Sequence, residues 1–356
     1  MNTSPIKFPV KNNIDILRLF AAMQVVALHT VEHLYQIPRD GSIVLLVLGF
    51  IPGVPIFFFL SGLLIPQSYE RTPSLREYIY NRALRLYPAL LVCIVLSSLM
   101  MVVVGYMEWV DFKRADVLTW LVTQATFLQF YNPEFFYGFG TGVVNTSLWT
   151  ISVEIQFYII TPALVYLLRY KRLYFSLFLL SLLLNVALQH FDLRHFLWGK
   201  FLRVSFLPWI FMFMTGHLVY VYWERVARFV QGKIYLWAAI FALQVIFLAF
   251  IEREFGYNLS GNSIIPLTFF LLSFLVLSVA VSWPSVSGKI LYGNDFSYGV
   301  YIYHMPIINL FLYLALPVGI LSTVLISVLI FSLACLSWVL VERPALRLKH
   351  ISIYPR

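Results

Sequence analysis

The sequence has little charge for its length and almost no cysteine. Charged residues make up 12% of its 356 positions, about half the fraction found in ordinary soluble domains. The two cysteines provide neither a disulfide framework nor the spacing of a metal site, so no metal ion is expected. The chain is instead rich in apolar residues: 61% of it is hydrophobic and 18% is aromatic. This balance excludes a large soluble core and predicts an all-α, polytopic integral membrane protein.

Apolar stretches along the chain predict about ten transmembrane helices within one domain, residues 1–356. A helix of ~20 residues crosses the ~30 Å hydrocarbon layer. The predicted crossings are 14–34, 43–66, 86–105, 148–168, 173–189, 204–222, 234–251, 264–282, 296–315 and 319–341. A further apolar stretch near 117–130 has only 14 residues, and we interpret it as a re-entrant or interfacial segment.

The positions of the basic residues predict the orientation of the chain. The net charge is +9, yet the basic residues lie mostly in short loops between apolar stretches, which is how topology is encoded. With the N-terminus inside, 17 of the 25 fall in cytoplasmic segments, 7 fall in outer segments and Arg18 is the one left. Both termini are therefore predicted to be cytoplasmic. No run of basic and aromatic residues indicates nucleic acid as a partner.

The first apolar stretch carries ionisable side chains that are rare inside a membrane. Arg18 and His29 are eleven residues apart, about three turns, so both face one side of a helix. Glu32 and His33 follow His29 at i+3 and i+4 on that side. Such groups usually face the bundle interior or a wet cavity, which indicates a polar axis through the protein. The alternative is a snorkelling Arg18 beside a hydrogen-bonded His29.

A pair of arginines lies at the predicted inner membrane surface. Arg82 and Arg85 are at i and i+3 in YNRALRLYP, so they project side by side if this segment is helical. Arginine binds phosphate oxygens in a bidentate manner, which makes the pair a candidate site for a phosphorylated donor from the cytoplasm. The alternative is ordinary positive charge on the inner side.

Other polar groups lie deeper in the predicted bundle. Glu154 is ~9 Å inside the fourth crossing and His29 is ~8 Å from the outer end of the first. Their equal depth predicts that Glu154 orients His29 as a general base, although a structural pair of Glu154 with an arginine or a tyrosine is the alternative. The candidate substrate-binding residues are Glu32, His33, Trp149, Tyr158 and His304. A packing or hydrogen-bonding role within the bundle is the alternative for Trp149, Tyr158 and His304.

Together these stretches resemble the membrane-bound acyltransferase-3 family of bacterial carbohydrate O-acyltransferases. The resemblance covers nearly the whole chain in the family's order: Arg18 with His29, PGVPIFFFLSG from Pro52, Arg82-Ala-Leu-Arg85, SLWTISVEIQFY from Ser147, FSYGVYIYH from Phe296 and VERP from Val341. It implies that His29 is the essential histidine, that Arg18 supports the site and that Arg82 and Arg85 serve the acyl-CoA donor.

The resemblance implies an enzyme of the bacterial inner membrane. It would move an acyl group, expected to be acetyl, from cytoplasmic acyl-CoA to a hydroxyl of a surface polysaccharide, a lipopolysaccharide O-antigen or a lipid-linked glycan. His29 would act as a general base or would carry the acyl group transiently. Membrane lipid, the glycan and acyl-CoA are the expected partners, and no permanently bound cofactor is expected.

The chain ends soon after VERP, so it is expected to be the stand-alone type, without the periplasmic hydrolase-like domain of many relatives.

Two other functions remain as alternatives to an acyltransferase. A transporter or flippase of a lipid-linked sugar would also need buried charges, but the sequence has no inverted repeats or paired broken spans. A ligand-sensing membrane protein is the remaining alternative, and no feature of the sequence favours it.

Overall fold

The fold is built from helices, and the connection between two of them, residues 125–147, contains only a 3₁₀ turn, Glu134–Phe136. The computed structural model describes residues 8–9, 11–37, 43–72, 74–191, 196–255, 262 and 264–350, and these residues form no strand. The two chain ends, for which we predict a cytoplasmic position, lie outside them. The α-helices in the described part of the chain are α1 (Ile14–His29), α2 (Ile43–Gly49), α3 (Gly53–Arg71), α4 (Leu75–Val103), α5 (Ala115–Gln124), α6 (Leu148–Leu167), α7 (Lys171–His190), α8 (Leu197–Val204), α9 (Ile210–Val221), α10 (Trp223–Val230), α11 (Ile234–Phe255), α12 (Pro266–Val281), α13 (Val286–Leu291), α14 (Ser297–Tyr313), α15 (Ile320–Ser337) and α16 (Arg343–Arg347).

The helix lengths confirm an all-α protein that passes through the membrane several times. Among the described residues, seven helical stretches are long and apolar enough to cross: Ile14–Leu34, Leu45–Arg71, Leu75–Val103, Leu148–Leu167, Lys171–His190, Ile234–Glu252 and Ile320–Arg347. The other three predicted crossings correspond to α9, α12 and α14, with 12, 16 and 17 residues. In the 117–130 segment, α5 has 10 residues, or ~15 Å, which is too short for a crossing.

The helices group into two compact units. The first comprises Met1–Leu28, Pro38–Arg71 and Ile159–Asp295. Its closest helix pair is α3 against α9, because each helix presents a glycine to the other: a Cβ on Gly62 would collide with the Phe213 carbonyl, and one on Gly216 with the Phe59 carbonyl. Small residues that let backbones approach are the usual device for packing helices in a membrane.

The second unit comprises His29–Ile37, Thr72–Tyr158 and Phe296–Arg356. Its centre is α14, in which 14 of 17 residues are buried, as expected of a helix surrounded by others. α14 packs against α4 and α15, and Gly299 allows the backbone of α15 to approach at Ala334. Polar side chains on α14 must therefore find their partners inside the unit, which is why the candidate site forms around this helix.

Candidate active site

His29 faces a second histidine in the second unit. It is the last residue of α1, and its Nδ1 lies 3.0 Å from Nε2 of His304 on α14. The two ring centroids are 5.2 Å apart. His304 has no exposed surface, and its Nδ1 lies 2.6 Å from the carbonyl oxygen of Tyr301. Sequence reasoning selected both histidines but did not pair them.

The chain changes its helical pitch immediately after His29. Thr30–Leu34 forms a π-helical turn, a rare geometry that occurs frequently at functional sites. The turn packs against α14 and contains Glu32 and His33, and the His33 ring centroid is 5.6 Å from that of His29. The structure thus brings His29, His33 and His304 into one group.

The carboxylate of Glu154 takes part in a different contact. Its Oε1 accepts a hydrogen bond of 2.7 Å from the hydroxyl of Tyr158, one turn further along α6. His29 Nδ1 contacts His304 and not this carboxylate, so the role predicted for Glu154 in orienting His29 stays a prediction. The alternative that the sequence left open, a bond of Glu154 to a tyrosine, is the one observed. Equal depth along two helices carries no information about the direction in which the Glu154 side chain points.

The predicted donor arginines lie against aromatic rings of the same unit. The Arg82 guanidinium carbon is 5.7 Å from the ring centroid of Tyr158, and that of Arg85 is 6.0 Å from the ring of Tyr298. Both distances suit cation–π attraction. Tyr158 is buried, and its ring packs beside Arg82. Trp149, at the start of α6, is half-buried.

Arg85 also has an acidic partner that the sequence placed only within the VERP motif. Its Nη1 lies 3.6 Å from Oε2 of Glu342, whose side chain is 2% exposed. Glu342 closes a second π-helical turn, Trp338–Glu342, and its Oε1 accepts a hydrogen bond of 3.1 Å from the Ser337 hydroxyl. A buried carboxylate held in this way fixes the position of the guanidinium beside it.

A third basic side chain joins the two arginines. Lys349 lies in the short 3₁₀ turn Leu348–His350, which packs against α4. Burial, together with the nearby positive charges of Arg82 and Arg85, lowers the pKa of the Lys349 ammonium to about 8. Three cations that repel one another are suited to bind an anion with several charges. In the sequence, Lys349 is one of the 17 basic residues predicted to be cytoplasmic, and no local pattern distinguishes it from the other basic residues of the C-terminal segment.

Arg18 lies in the first unit and has a partner that the sequence did not indicate. Its Nη1 is 2.7 Å from Oδ2 of Asp295, and the two side chains are 20% and 12% exposed. Asp295 directly precedes the FSYGVYIYH motif. The pair satisfies an arginine within an apolar stretch, as expected where charges lie inside a membrane protein.

Comparison with known proteins identifies the family. The profile of a family described as "Acyltransferase domain" matches residues 11–342. The chain is 33% identical to "Nodulation protein 10" of Rhizobium leguminosarum bv. viciae, over 95% of this chain and 94% of that protein. It is 25% identical to "O-acetyl transferase" of Shigella phage Sf6, over 93% and 95%.

A partial match points the same way. The chain is 32% identical to "Peptidoglycan O-acetyltransferase OatA" of Listeria monocytogenes, over 42% of this chain and 23% of that protein. No solved structure matches the chain. The family profile covers the helices that carry the histidine pair and both donor arginines. The protein is therefore an acyltransferase and belongs to the membrane-bound acyltransferase-3 family, as the order of its sequence motifs predicted.

Proposed function

We propose that the protein is an O-acyltransferase of the bacterial inner membrane that moves an acyl group, acetyl in the first instance, from cytoplasmic acyl-CoA to a hydroxyl of a glycan. One observation carries the proposal: the second unit contains both a group of cations suited to phosphates and a pair of imidazoles, His29 and the buried His304, suited to proton transfer. Two relatives are named as O-acetyltransferases, which favours the same reaction.

The donor side of the proposal rests on Arg82, Arg85 and Lys349. Coenzyme A carries a diphosphate and a ribose phosphate, and these groups are recognised by charge-assisted hydrogen bonds from arginine and lysine. Glu342 holds Arg85 and the Tyr158 ring lies beside Arg82, so the two guanidinium groups are positioned before the donor arrives. Positioning of this kind lowers the entropic cost of binding.

The acceptor side of the proposal rests on His29. The acceptor hydroxyl oxygen attacks the thioester carbonyl carbon, a C–O bond forms and the C–S bond breaks. The hydroxyl proton passes to an imidazole nitrogen of His29 and then to the coenzyme A thiolate. In the alternative route, the same His29 nitrogen attacks the thioester carbonyl carbon and carries the acyl group, and the C–S bond breaks. The acyl group then passes to the acceptor hydroxyl, whose proton ends on the thiolate. Either route requires that nitrogen to be unprotonated when the reaction begins.

The acceptor is proposed to be a surface polysaccharide, a lipopolysaccharide O-antigen or their lipid-linked precursor. One of the relatives named above carries peptidoglycan in its name, which supports a glycan hydroxyl as the acceptor class. The membrane helices favour an acceptor that meets the protein at or within the bilayer, as a lipid-linked or surface-attached glycan does.

Inverted inner-membrane vesicles from a bacterium that makes this protein test the proposal. Radiolabelled acetyl-CoA is added at the exposed cytoplasmic face, and label in the extracted glycan is identified by mass spectrometry. We expect incorporation with the wild type, loss of nearly all of it with His29→Ala, and none of that loss with His190→Gln, an exposed histidine of the first unit. Equal incorporation by His29→Ala at equal expression would show that the assignment is wrong.

A further inference from the structure

The geometry points to a specific role for His304: we infer that it is a positioning residue that fixes the tautomer of His29 and makes His29 Nε2 the nitrogen that takes the acceptor proton. The chemistry assigned to His29 rests on the proposed function, whereas the tautomer rests on the contacts alone. His304 then contributes through His29 and not by contact with the substrate, the role that sequence reasoning gave it.

The first step concerns the bond between His304 and the backbone of its own helix. The Tyr301 carbonyl oxygen lies 2.6 Å from His304 Nδ1 and can only accept a hydrogen bond. Nδ1 of His304 must therefore carry a hydrogen. The other ring nitrogen, Nε2, then has a hydrogen only if the ring is charged.

Burial indicates that the ring is neutral. His304 has no exposed surface, and placing an unpaired charge in such a position is costly. The ring facing it is another imidazole, 5.2 Å away between centroids, and not a carboxylate that would stabilise a positive charge. Nε2 of His304 is therefore the hydrogen-bond acceptor.

The hydrogen bond between His29 and His304 then fixes the tautomer of His29. Nδ1 of His29 lies 3.0 Å from Nε2 of His304, so His29 Nδ1 must donate its hydrogen to that acceptor. A neutral imidazole carries one ring hydrogen, which leaves Nε2 of His29 as the basic nitrogen. When Nε2 takes a proton, the Nδ1–H bond to His304 is strengthened, and it helps to hold the positive charge that develops.

The neighbouring carbonyl of α14 also bonds to side chains, for a reason visible in the sequence. Pro306 has no N–H to donate to the carbonyl of Ile302, four residues earlier. Side chains satisfy that carbonyl instead: Asn145 Nδ2 donates to it at 2.8 Å and Cys93 Sγ at 3.3 Å. Side chains therefore bind to two adjacent carbonyls of α14, those of Tyr301 and Ile302, and His304 binds to the first of them.

Two variants separate positioning from simple packing. In His304→Gln the amide oxygen occupies the region of the imidazole Nε2 and can accept from His29. In His304→Asn the shorter amide can still donate toward the Tyr301 carbonyl but does not reach His29. We expect kcat to fall at least ~10-fold in His304→Asn, since general base catalysis is worth typically 10²–10⁴-fold. His304→Gln should recover most of that loss, and the KM for acetyl-CoA should be unchanged in both.

Nitrogen NMR of the full-length protein in detergent reads the tautomer without any substrate. With ¹⁵N-labelled histidine, and with the His29 signals assigned by their loss in His29→Gln, we expect a protonated Nδ1 and an unprotonated Nε2 in the wild type. His304→Asn should populate the other tautomer, and His304→Gln should not. A protonated Nε2 of His29 in the wild type, or equal kcat in the two variants, would overturn the inference.

The two measurements also separate this inference from the proposed function. If the wild type transfers no acyl group to any glycan while the tautomer is as expected, the proposed function fails and the geometric argument stands. If acylation requires His29 but the tautomer is reversed, the role of His304 fails and the proposed function stands.

Discussion

Arg85 and Glu342 form an ion pair, 3.6 Å between Nη1 and Oε2, although 257 positions separate them in the chain. Glu342 is almost fully buried and is held by Ser337. The acidic residue of the VERP motif thus has a definite task, which is to hold one arginine of the proposed donor site. A phosphate that binds Arg85 would therefore contact the same guanidinium group as the Glu342 carboxylate does.

The first prediction concerns the energy of this pair. Removing one partner of a buried ion pair leaves an uncompensated charge and costs about 3–5 kcal/mol, so Glu342→Gln should lower the stability of the purified protein by that order. The double variant Arg85→Ala/Glu342→Gln should be less destabilised than the sum of the two single variants. Thermal unfolding of the wild type, both single variants and the double variant in detergent gives the interaction energy by a double-mutant cycle. Additive effects would show that the two side chains do not interact.

The second prediction concerns the third cation. Lys349→Ala should raise the KM for acyl-CoA severalfold and leave kcat nearly unchanged, because Lys349 lies with Arg82 and Arg85 and not with the histidines. Arg82→Lys should restore only part of the donor affinity lost in Arg82→Ala, since lysine lacks the bidentate fork. Lys289→Ala, a lysine of the first unit, is the matched control and should behave as the wild type. A kcat defect with normal KM in Lys349→Ala would contradict this placement.

The third prediction follows from the lowered pKa of Lys349, about 8. The ammonium is charged below that pH and neutral above it, whereas Arg82 and Arg85 stay charged throughout. Affinity for acyl-CoA should therefore fall as the pH rises through about 8, well before an ordinary lysine would titrate. Lys349→Arg should remove this decline because arginine keeps its charge. The dependence of kcat/KM for the donor on pH, from 6 to 10, tests both statements.

Particular residues show how far the sequence alone could predict the structure. Hydrophobic length located helices at all ten predicted crossings, because bilayer thickness dictates that signal. The spacing of His29, Glu32 and His33 predicts one face of an α-helix, and nothing in that spacing indicates the π-helical turn Thr30–Leu34. The partner of His29 is 275 residues away, and Lys349 and Asp295 are equally remote from the arginines beside them. Periodicity along one helix carries no information about which helix packs opposite, so these partners could not be predicted from one sequence.

The fourth prediction is the topology, which rests on charge. The count of 17 basic residues inside against 7 outside predicts that both termini are cytoplasmic. A reporter fused after Arg356, which lies outside the described residues, should therefore be active in the cytoplasm. A matched fusion in the 106–114 loop, predicted to be outside, should give the opposite signal. Periplasmic activity of the C-terminal fusion would contradict the ten-crossing arrangement.

The last prediction separates the two roles considered for Glu154. If Glu154 stabilised a charged His29, as the sequence predicted, Glu154→Gln would cost much of the 10²–10⁴-fold that a general base contributes. In the structure, Glu154 instead accepts a hydrogen bond from Tyr158, whose ring lies beside Arg82.

Glutamine keeps an oxygen that can accept the Tyr158 hydroxyl, so Glu154→Gln should retain kcat within ~10-fold of the wild type. Its effect should appear in the KM for acyl-CoA, because a negative charge has been removed near Arg82. Tyr158→Phe removes the same hydrogen bond from the other side and should also change KM more than kcat. The His29 tautomer should be the same in both variants as in the wild type. A kcat for Glu154→Gln as low as that of His29→Ala would return Glu154 to the role that the sequence predicted, and would require the two side chains to meet during the reaction.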